Sequence, residues 1–208
     1  MLLQNQFPNH EMTPQLALNI LKEGNIRFVE NHMSEHDLPK EVKLTSMGQH
    51  PFALILNCID SRVPAELIFD LGIGDIFNTR IAGNIINNDI IGSMEFACKH
   101  GDIKLIVVLG HTSCGAVQAA CDQIKLGKFT DLLKKIEPAL CSTPNSENDD
   151  RSSKNSKFVN NVAQKNVELS VESIKQASPL LKSMIENGEI FLLGAMYDLS
   201  NGKVTFDT

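Results

Sequence analysis

The sequence predicts an α/β domain with a mainly parallel central β-sheet flanked by helices and an N-terminal helical arm. Short apolar runs typical of buried strands alternate with longer segments of helical periodicity, and the strongest such run is IKLIVVLGH. Parallel strands need helical crossovers of this kind, whereas antiparallel strands can be joined by tight turns. We therefore expect a single domain over residues 1–208, with residues 1–48 as the helical arm and residues 142–157 as a polar loop.

The arm is predicted to contain one helix. TPQLALNILKEGNIRFVENHM has Thr13 in position to cap a helix, Pro14 at the first helical position and a rough apolar stripe after them. Residues 31–48 are polar and lack periodicity, so we predict irregular structure there. The apolar run FALILN, which follows Pro51, predicts the first buried strand.

The remaining segments alternate between helix and strand. The predicted helices are VPAELIFDLGIGD, IIGSMEFACKHGD, SCGAVQAACDQIKLG, FVNNVAQKNVELSVESIKQ and PLLKSMIENG. The predicted strands are DIFNTR, which runs into a Gly-Asn turn, then IKLIVVLGH, and two more in EIFLLGAMYDLSNGKVTFDT. Residues 142–157 are rich in Ser, Asn and Asp without any periodicity, which predicts the polar surface loop.

Charge and hydropathy exclude several kinds of partner. The chain carries 19 basic and 25 acidic side chains, a formal charge of −6, whereas nucleic acids and anionic membranes attract basic faces. No apolar run approaches the roughly 20 residues that span a bilayer. The first residues, MLLQNQFPNHEM, lack the basic and apolar regions of a secretory signal. We therefore expect a cytoplasmic protein with neither nucleic acid nor membrane as a partner.

The chain has five cysteines, at positions 58, 98, 114, 121 and 141. An odd number in a chain of this length does not predict a disulfide framework, so metal ligands or buried free thiols are expected instead.

Chemically active side chains follow two of the predicted strands. NCIDSR presents Cys58, Asp60 and Arg62 at alternate positions, and GHTSCG presents His111 and Cys114 across a strand-to-helix turn. Both stretches lie at carboxyl ends of strands, where open parallel sheets bind their ligands. Two cysteines and a histidine form a zinc-binding set, and three protein ligands leave a fourth position for water, as in catalytic sites.

The spacing alone leaves other interpretations open. Cys58 could be a core thiol, Asp60 could cap the following helix, and Arg62 could form a surface ion pair. His111 could be held by hydrogen bonds at the end of its strand. A redox thiol pair is disfavoured because the chain has no Cys-x-x-Cys, and nucleotide binding is disfavoured because it has neither a Gly-x-Gly-x-x-Gly nor a phosphate-binding lysine loop.

The longer pattern around these residues resembles the β-class carbonic anhydrases. CIDSRVPAELIFDLGIGDIFNTRIAGN, followed by GSMEFACKHGDIKLIVVLGHTSCGA, carries the resemblance, and ALNILKEGNIRF and GAMYDLSNGKV extend it. The resemblance runs from about Thr13 to the end of the chain, although residues 142–157 carry no motif of the family.

The resemblance implies a zinc lyase that hydrates carbon dioxide to bicarbonate and a proton. It implies that Cys58, His111 and Cys114 ligate one Zn²⁺ per chain, and that Asp60 and Arg62 form a dyad that orients a zinc-bound hydroxide for attack on CO2. It also implies a homodimer or homotetramer, with the N-terminal helix lying over a neighbouring copy. The residues expected at the substrate are Gln49, Phe77, the backbone amide of Gly115 and, because CO2 needs an apolar pocket, Ala82.

Three details of the resemblance concern single residues. Members that are closed by their aspartate moving onto zinc carry a particular tryptophan, and this chain has no Trp, so we expect the open type. Glu95-Phe96 stands where plant-like members have Glu-Tyr, which removes a hydroxyl that could bind Gln49. The cysteines at 98, 121 and 141 match no ligand position and are expected to be buried helix thiols.

Two other functions fit the same motifs. A related activity on CS2 or COS would need nearly the same residues around zinc. A zinc-holding or thiol-sensing protein without catalysis would keep Asp60 on the metal, although Arg62 argues against this because it holds Asp60 away.

Overall fold

The centre of the computed structural model, which describes residues 12–144 and 150–207, is a five-stranded sheet in the order β2-β1-β3-β4-β5. The strands are β1 Ala53–Asn57, β2 Ile76–Arg80, β3 Leu105–His111, β4 Phe191–Tyr197 and β5 Val204–Phe206. Strands β1 to β4 are parallel to one another, and β5 is antiparallel to β4. The predicted α/β class with a mainly parallel sheet is therefore confirmed.

Helices cover both faces of this sheet. They are α1 Pro14–Val29, α2 Leu38–Thr45, α3 Ala65–Ile68, α4 Asn88–His100, α5 Gly115–Cys121, α6 Gly127–Leu133, α7 Glu137–Ser142, α8 Ser156–Ala177 and α9 Pro179–Glu186. A short 3-10 helix, Ala82–Asn84, follows β2. No helix in the described ranges is long and apolar enough to cross a membrane.

The central strands β1 and β3 are buried along their whole length, which explains why they appear in the sequence as continuous apolar runs. Alternate residues point to opposite faces of the sheet. Ala53 and Ile55 pack against α1 and α3, whereas Leu54 and Leu56 pack against α4, α8 and α9. The sheet therefore lies between two apolar layers, and a third apolar cluster surrounds Cys58 and Cys114.

The arm begins as predicted and then differs. Thr13 Oγ1 accepts a hydrogen bond from Leu16 N at 3.1 Å, so the predicted cap of α1 is confirmed. The prediction of irregular structure over residues 31–48 is wrong, because α2 forms there: Asp37 Oδ1 accepts from Lys40 N at 3.1 Å and a proline lies in the first turn. Residues 1–11 of the predicted arm, residues 145–149 of the predicted polar loop and Thr208 lie outside the described ranges.

The structure also moves the limits of two predicted segments. Ser142 belongs to α7, and α8 begins at Ser156, so helix occupies both ends of the predicted polar loop. The helices α6 and α7 were not predicted.

A buried polar cluster joins the arm to the sheet. The Asp70 carboxylate accepts hydrogen bonds from Arg27 Nε and from the backbone and hydroxyl of Ser34, and it lies 3.4 Å from His36 Nε2. His36 Nδ1 lies 3.0 Å from Glu41 Oε1. Burial favours a higher pKa for Asp70, but the hydrogen bonds from Arg27 and Ser34 outweigh it and keep that pKa below its ordinary value. The ionised carboxylate therefore stabilises the fold at neutral pH.

Replacing Asp70 with Asn should lower the free energy of unfolding by about 2 kcal/mol, because charged hydrogen bonds to a buried carboxylate are lost. The matched control is Asp102→Asn. Asp102 has a φ of 52°, close to the 51° of Asp70, but its carboxylate is exposed and pairs with Lys104. Its replacement should change the free energy of unfolding by less than about 0.5 kcal/mol. Urea unfolding followed by circular dichroism measures both. The difference between the variants should shrink as pH falls through the pKa of Asp70, since that pKa is depressed in the folded state.

Candidate metal centre

Three metal-binding side chains meet at the carboxyl edge of the sheet. Cys58 directly follows β1 and His111 is the last residue of β3. These strands are neighbours, with Asn57 opposite Leu109, so their carboxyl ends lie side by side. Cys114 is the N-cap of α5, which places its sulfur at the same edge. Parallel pairing thus brings Cys58 close to His111 and Cys114, which lie 53 and 56 positions later in the sequence.

The spacing of the three ligand atoms suits a single ion. They all lie within 4.8 Å of one another, and all three residues are buried. The two sulfurs are 3.9 Å apart. Two sulfurs that each lie about 2.3 Å from a tetrahedral ion are separated by about 3.8 Å. The pair therefore has the separation of two ligands of one metal, and it is not a disulfide.

The imidazole of His111 has one nitrogen fixed and the other unsatisfied. Nδ1 lies 2.9 Å from the Thr112 carbonyl oxygen, which requires a proton on Nδ1. Nε2 is then an acceptor, and it is buried without a hydrogen-bond partner among the described residues. An unpaired buried acceptor is costly unless a metal or donor occupies its lone pair. A carbonyl on the far nitrogen is also the usual way to orient a metal-bound histidine.

The two thiols differ in their surroundings. Hydrogen bonds from the Cys114 thiol and from the Gly83 amide, whose nitrogen is 3.3 Å from Cys58 Sγ, lower the pKa of Cys58 well below that of a free thiol. The neighbouring Cys58 sulfur and burial raise the pKa of Cys114. A divalent cation between the two sulfurs would stabilise both as thiolates.

Asp60 and Arg62 form an ion pair at the rim of this cluster. Arg62 Nε donates to Asp60 Oδ1 at 2.9 Å and Arg62 Nη2 donates to Oδ2 at 2.8 Å. These bonds lower the pKa of Asp60 to about 2. Asp60 Oδ2 also lies 4.0 Å from His111 Nε2, while the side chain of Arg62 is 56% exposed. The carboxylate therefore faces the cluster and the guanidinium faces solvent.

The loop after β2 contacts the cluster through Gly83, whose N–H donates to Cys58 Sγ. Gly83 has a φ of +67°, and a Cβ at this position would lie 2.8 Å from Ile136 Cδ1 and 3.2 Å from the Cβ of Ala116. Asn166, buried in α8, donates from Nδ2 to the Gly83 carbonyl oxygen at 2.9 Å. Gly83 is thus bonded on both sides, since its N–H donates to Cys58 Sγ and its carbonyl oxygen accepts from Asn166.

The other predicted residues lie at different distances from the cluster. Gly115 is the first residue of α5, next to Cys114, and Ala82 is half-buried and packs against the apolar residues around both cysteines. Gln49 is exposed and precedes β1. Phe77 pairs with Leu54, four residues before Cys58, which is roughly 13 Å down the sheet at about 3.3 Å per residue. The structure of this single chain does not bring Phe77 to the cluster.

Two of the remaining cysteines are buried as predicted. Burial raises the pKa of Cys98 to about 12 and that of Cys121 to about 11, so both are inert thiols. The prediction of a buried thiol is wrong for Cys141, which is exposed. It lies in the short helix α7, where Ala139 faces the core and Cys141 faces outward.

Sequence reasoning missed several residues that hold the site. Arg80 Nε donates to the Cys58 carbonyl oxygen at 2.9 Å, and its Nη2 donates to the Asp60 carbonyl oxygen. Arg80 and Gly83 stand inside the quoted motif DIFNTRIAGN, so their position was a signal, but nothing in the sequence around Asn166 points to Gly83.

An α/β sheet that holds two cysteines and a histidine at its carboxyl edge, with an aspartate-arginine pair beside them, has known relatives. A family model described as carbonic anhydrase matches residues 53–204. Carbonic anhydrase 2 of Mycobacterium tuberculosis is 35% identical over 196 residues, which cover 91% of this chain and 91% of that protein.

Solved structures show the same fold. The β-carbonic anhydrase CcaA superposes with a TM-score of 0.69 at 29% identity, covering 91% of this chain and 86% of that one. The β-carbonic anhydrase CafA of Aspergillus fumigatus superposes with a TM-score of 0.68 at 29% identity, covering 93% of this chain and 89% of that one. The chain belongs to the carbonic anhydrase family, as an enzyme of its β class.

Replacing Gly83 with Ala should lower the free energy of unfolding by about 1–3 kcal/mol more than replacing Gly127 with Ala. Both glycines have a positive φ, but a Cβ on Gly127 meets no atom within 4 Å, so the control carries only the backbone strain. Denaturant unfolding of the two variants measures the difference. Equal losses would mean that Ile136 and Ala116 move aside without cost.

Proposed function

We propose that the protein catalyses the reversible hydration of carbon dioxide, CO2 + H2O ⇌ HCO3⁻ + H⁺, at one Zn²⁺ held by Cys58, His111 and Cys114. The observation that carries this proposal is the meeting of three buried ligand atoms within 4.8 Å beside an ionised Asp60. The donor set suits zinc, because thiolates and an imidazole in a tetrahedral arrangement are its usual ligands. Bound zinc would supply a water molecule acidic enough to attack CO2.

Asp60 has the features of a group that orients the attacking oxygen. As a carboxylate it can only accept hydrogen bonds, and a pKa of about 2 keeps it ionised throughout the neutral range. Arg62 donates one side-chain hydrogen bond to each carboxylate oxygen of Asp60, which fixes the plane of the carboxylate. A remaining lone pair of Oδ2 is then available to accept the O–H of the attacking oxygen, so that its free lone pair faces CO2.

The surfaces around this point suit an apolar substrate and an anionic product. Ala82 offers an apolar wall beside the cysteines. Gly115 begins α5, and amides in the first turn of a helix have no partner within the helix, so its N–H is proposed to bind an oxygen of substrate or product.

Phe77 and Gln49 are proposed to act on the site of a neighbouring copy in a homodimer or homotetramer. Phe77 stacks edge-on against Phe96 with ring centroids 6.4 Å apart, and Phe96 is 55% exposed, so the two rings form an aromatic surface near the edge strand β2. Exposed aromatic surface of this kind is typical of interfaces.

The proposed small-molecule partners are CO2 and bicarbonate, and the proposed location is the cytoplasm, with neither membrane nor nucleic acid as a partner.

Replacing Asp60 with Asn should lower kcat for CO2 hydration about a hundredfold while zinc content stays near one per chain, because the amide can donate where an acceptor is needed. Arg62→Ala should lower kcat in the same direction, since it frees the carboxylate. The matched control is Asp150→Asn. The Asp150 carboxylate accepts from the backbone N–H two residues later at 2.8 Å, as the Asp60 carboxylate does at 3.0 Å, but Asp150 is exposed. Stopped-flow hydration with zinc quantified on the same samples measures the effect. Normal turnover in Asp60→Asn would remove the dyad from the mechanism.

Activity should rise with pH between about pH 6 and pH 9, because two thiolates donate more charge to zinc than neutral imidazoles do and so acidify its water less. Asp60 should add no second limb to the profile, since its pKa of about 2 lies far below this range. Stopped-flow hydration in buffers of constant ionic strength measures the profile. A flat profile would contradict the charge argument, and full zinc without activity at any pH would direct the assay to CS2 and COS.

A further inference from the structure

The side chain of Arg80 continues the pairing of β1 and β2 beyond the end of both strands. Asn57 and Arg80 are the last residues in register, and Ile81 N donates to the Asn57 carbonyl oxygen at 3.0 Å. The carbonyls of Cys58 and Asp60 lie beyond this last pair of β1 and β2. The guanidinium of Arg80 binds both of them, through Nε at 2.9 Å to Cys58 and through Nη2 to Asp60.

This fork spans the one segment that carries both a metal ligand and the ionised carboxylate. Ile59, the residue between them, is 61% exposed, so packing does little to fix its backbone. The Asp60 carbonyl also accepts from Val63 N at 3.0 Å, which closes a turn but leaves the Cys58 carbonyl untouched. Arg80 thus links the backbone carbonyl of Cys58 to that of Asp60, in addition to the hydrogen bond from the Asp60 backbone to the Cys58 thiol.

Arg62 and Arg80 act on different parts of the same aspartate. Arg62 binds the carboxylate and sets its plane, whereas Arg80 binds the backbone and sets where the carboxylate stands relative to Cys58 Sγ. A planar guanidinium can hold two acceptors at a fixed separation, and a lysine ammonium cannot span them in the same way.

We propose that Arg80 is a positioning residue that holds the Cys58 sulfur and the Asp60 carboxylate in fixed relation through their backbone carbonyls. The part of this proposal that concerns turnover rests on the proposed function, whereas the part that concerns the hold on the metal does not. Outer contacts of this kind change metal affinity or activity by about 10- to 100-fold when they are removed.

The test compares Arg80→Gln and Arg80→Lys with Arg151→Gln in the zinc-loaded protein. Arg151 is the matched control because its Nη2 also donates to a backbone carbonyl, that of Leu140, away from the cluster. The first readout is the rate at which a colorimetric chelator removes zinc. It should rise about tenfold in Arg80→Gln, rise less in Arg80→Lys, and stay unchanged in Arg151→Gln.

The second readout is kcat for CO2 hydration in a double-mutant cycle with Asp60→Asn. Arg80→Gln should lower kcat about tenfold in the wild-type background, with little change in KM, and less than about twofold when Asp60 is already Asn. A residue that only stabilises the fold would lower kcat equally in both backgrounds.

Two results would overturn the proposal: wild-type zinc release in Arg80→Gln, or an equal loss of kcat with and without the Asp60 carboxylate. If Arg80→Gln does not fold, Arg80→Lys decides alone, with faster zinc release than wild type expected and an unchanged rate contradicting the proposal. If the wild-type enzyme proves inactive on CO2, the proposed function fails, and the zinc-release comparison still tests Arg80.

Discussion

The parallel pairing of β1 with β3 is the constraint on which the site depends. It places two chain segments side by side at one edge of the sheet, so that Cys58 and His111 leave their strands next to each other. Parallel strands can pair only when a long connection separates them, and here that connection contains α3, β2 and α4. Burial of both strands on both faces holds the register, since a slip of one residue would turn the apolar side chains of β1 to the wrong layers.

Polar groups that would be costly in an apolar core are gathered at this edge and satisfied in pairs. The His111 Nδ1 atom is bound by the Thr112 carbonyl oxygen, Cys58 Sγ by the Gly83 amide, and the Asp60 carboxylate by Arg62. Among the described residues, Nε2 of His111 stays without a hydrogen bond, as do two amide atoms nearby in the chain, Oδ1 of Asn57 and Nδ2 of Asn84. The unpaired Nε2 of His111 lies beside two cysteine sulfurs, so these three atoms are already arranged as ligands for a cation.

The sequence allowed prediction of the sheet and of the three side chains that meet at its edge, Cys58, His111 and Cys114, but not of the contacts that hold them. Continuous apolar runs identified β1 and β3, and the Cys-His-Cys pattern became specific only through its resemblance to a family. The helix α2 was missed because its residues are mostly polar, although Asp37 and a proline mark its start. The exposure of Cys141 depends on how a short helix is rotated against the core, which a single turn of sequence does not determine. The bonds of Arg80 and Asn166 join residues 22 and 83 positions apart, and no local pattern encodes such pairs.

When the cluster holds a divalent cation, the negative charges of its two thiolates would offset the charge of that cation, so the positive charge that attracts anions would lie at the rim of the site. Two thiolates and a neutral imidazole would cancel the charge of a bound divalent ion, so the filled centre would exert little net attraction on a monoanion such as the proposed product. Arg62, more than half exposed, offers a cationic group on the solvent side. Exposed charges are screened over about 8 Å at physiological ionic strength. In the proposed reaction, added salt should therefore weaken the attraction between this rim and bicarbonate, whereas the entry of uncharged CO2 should depend little on salt.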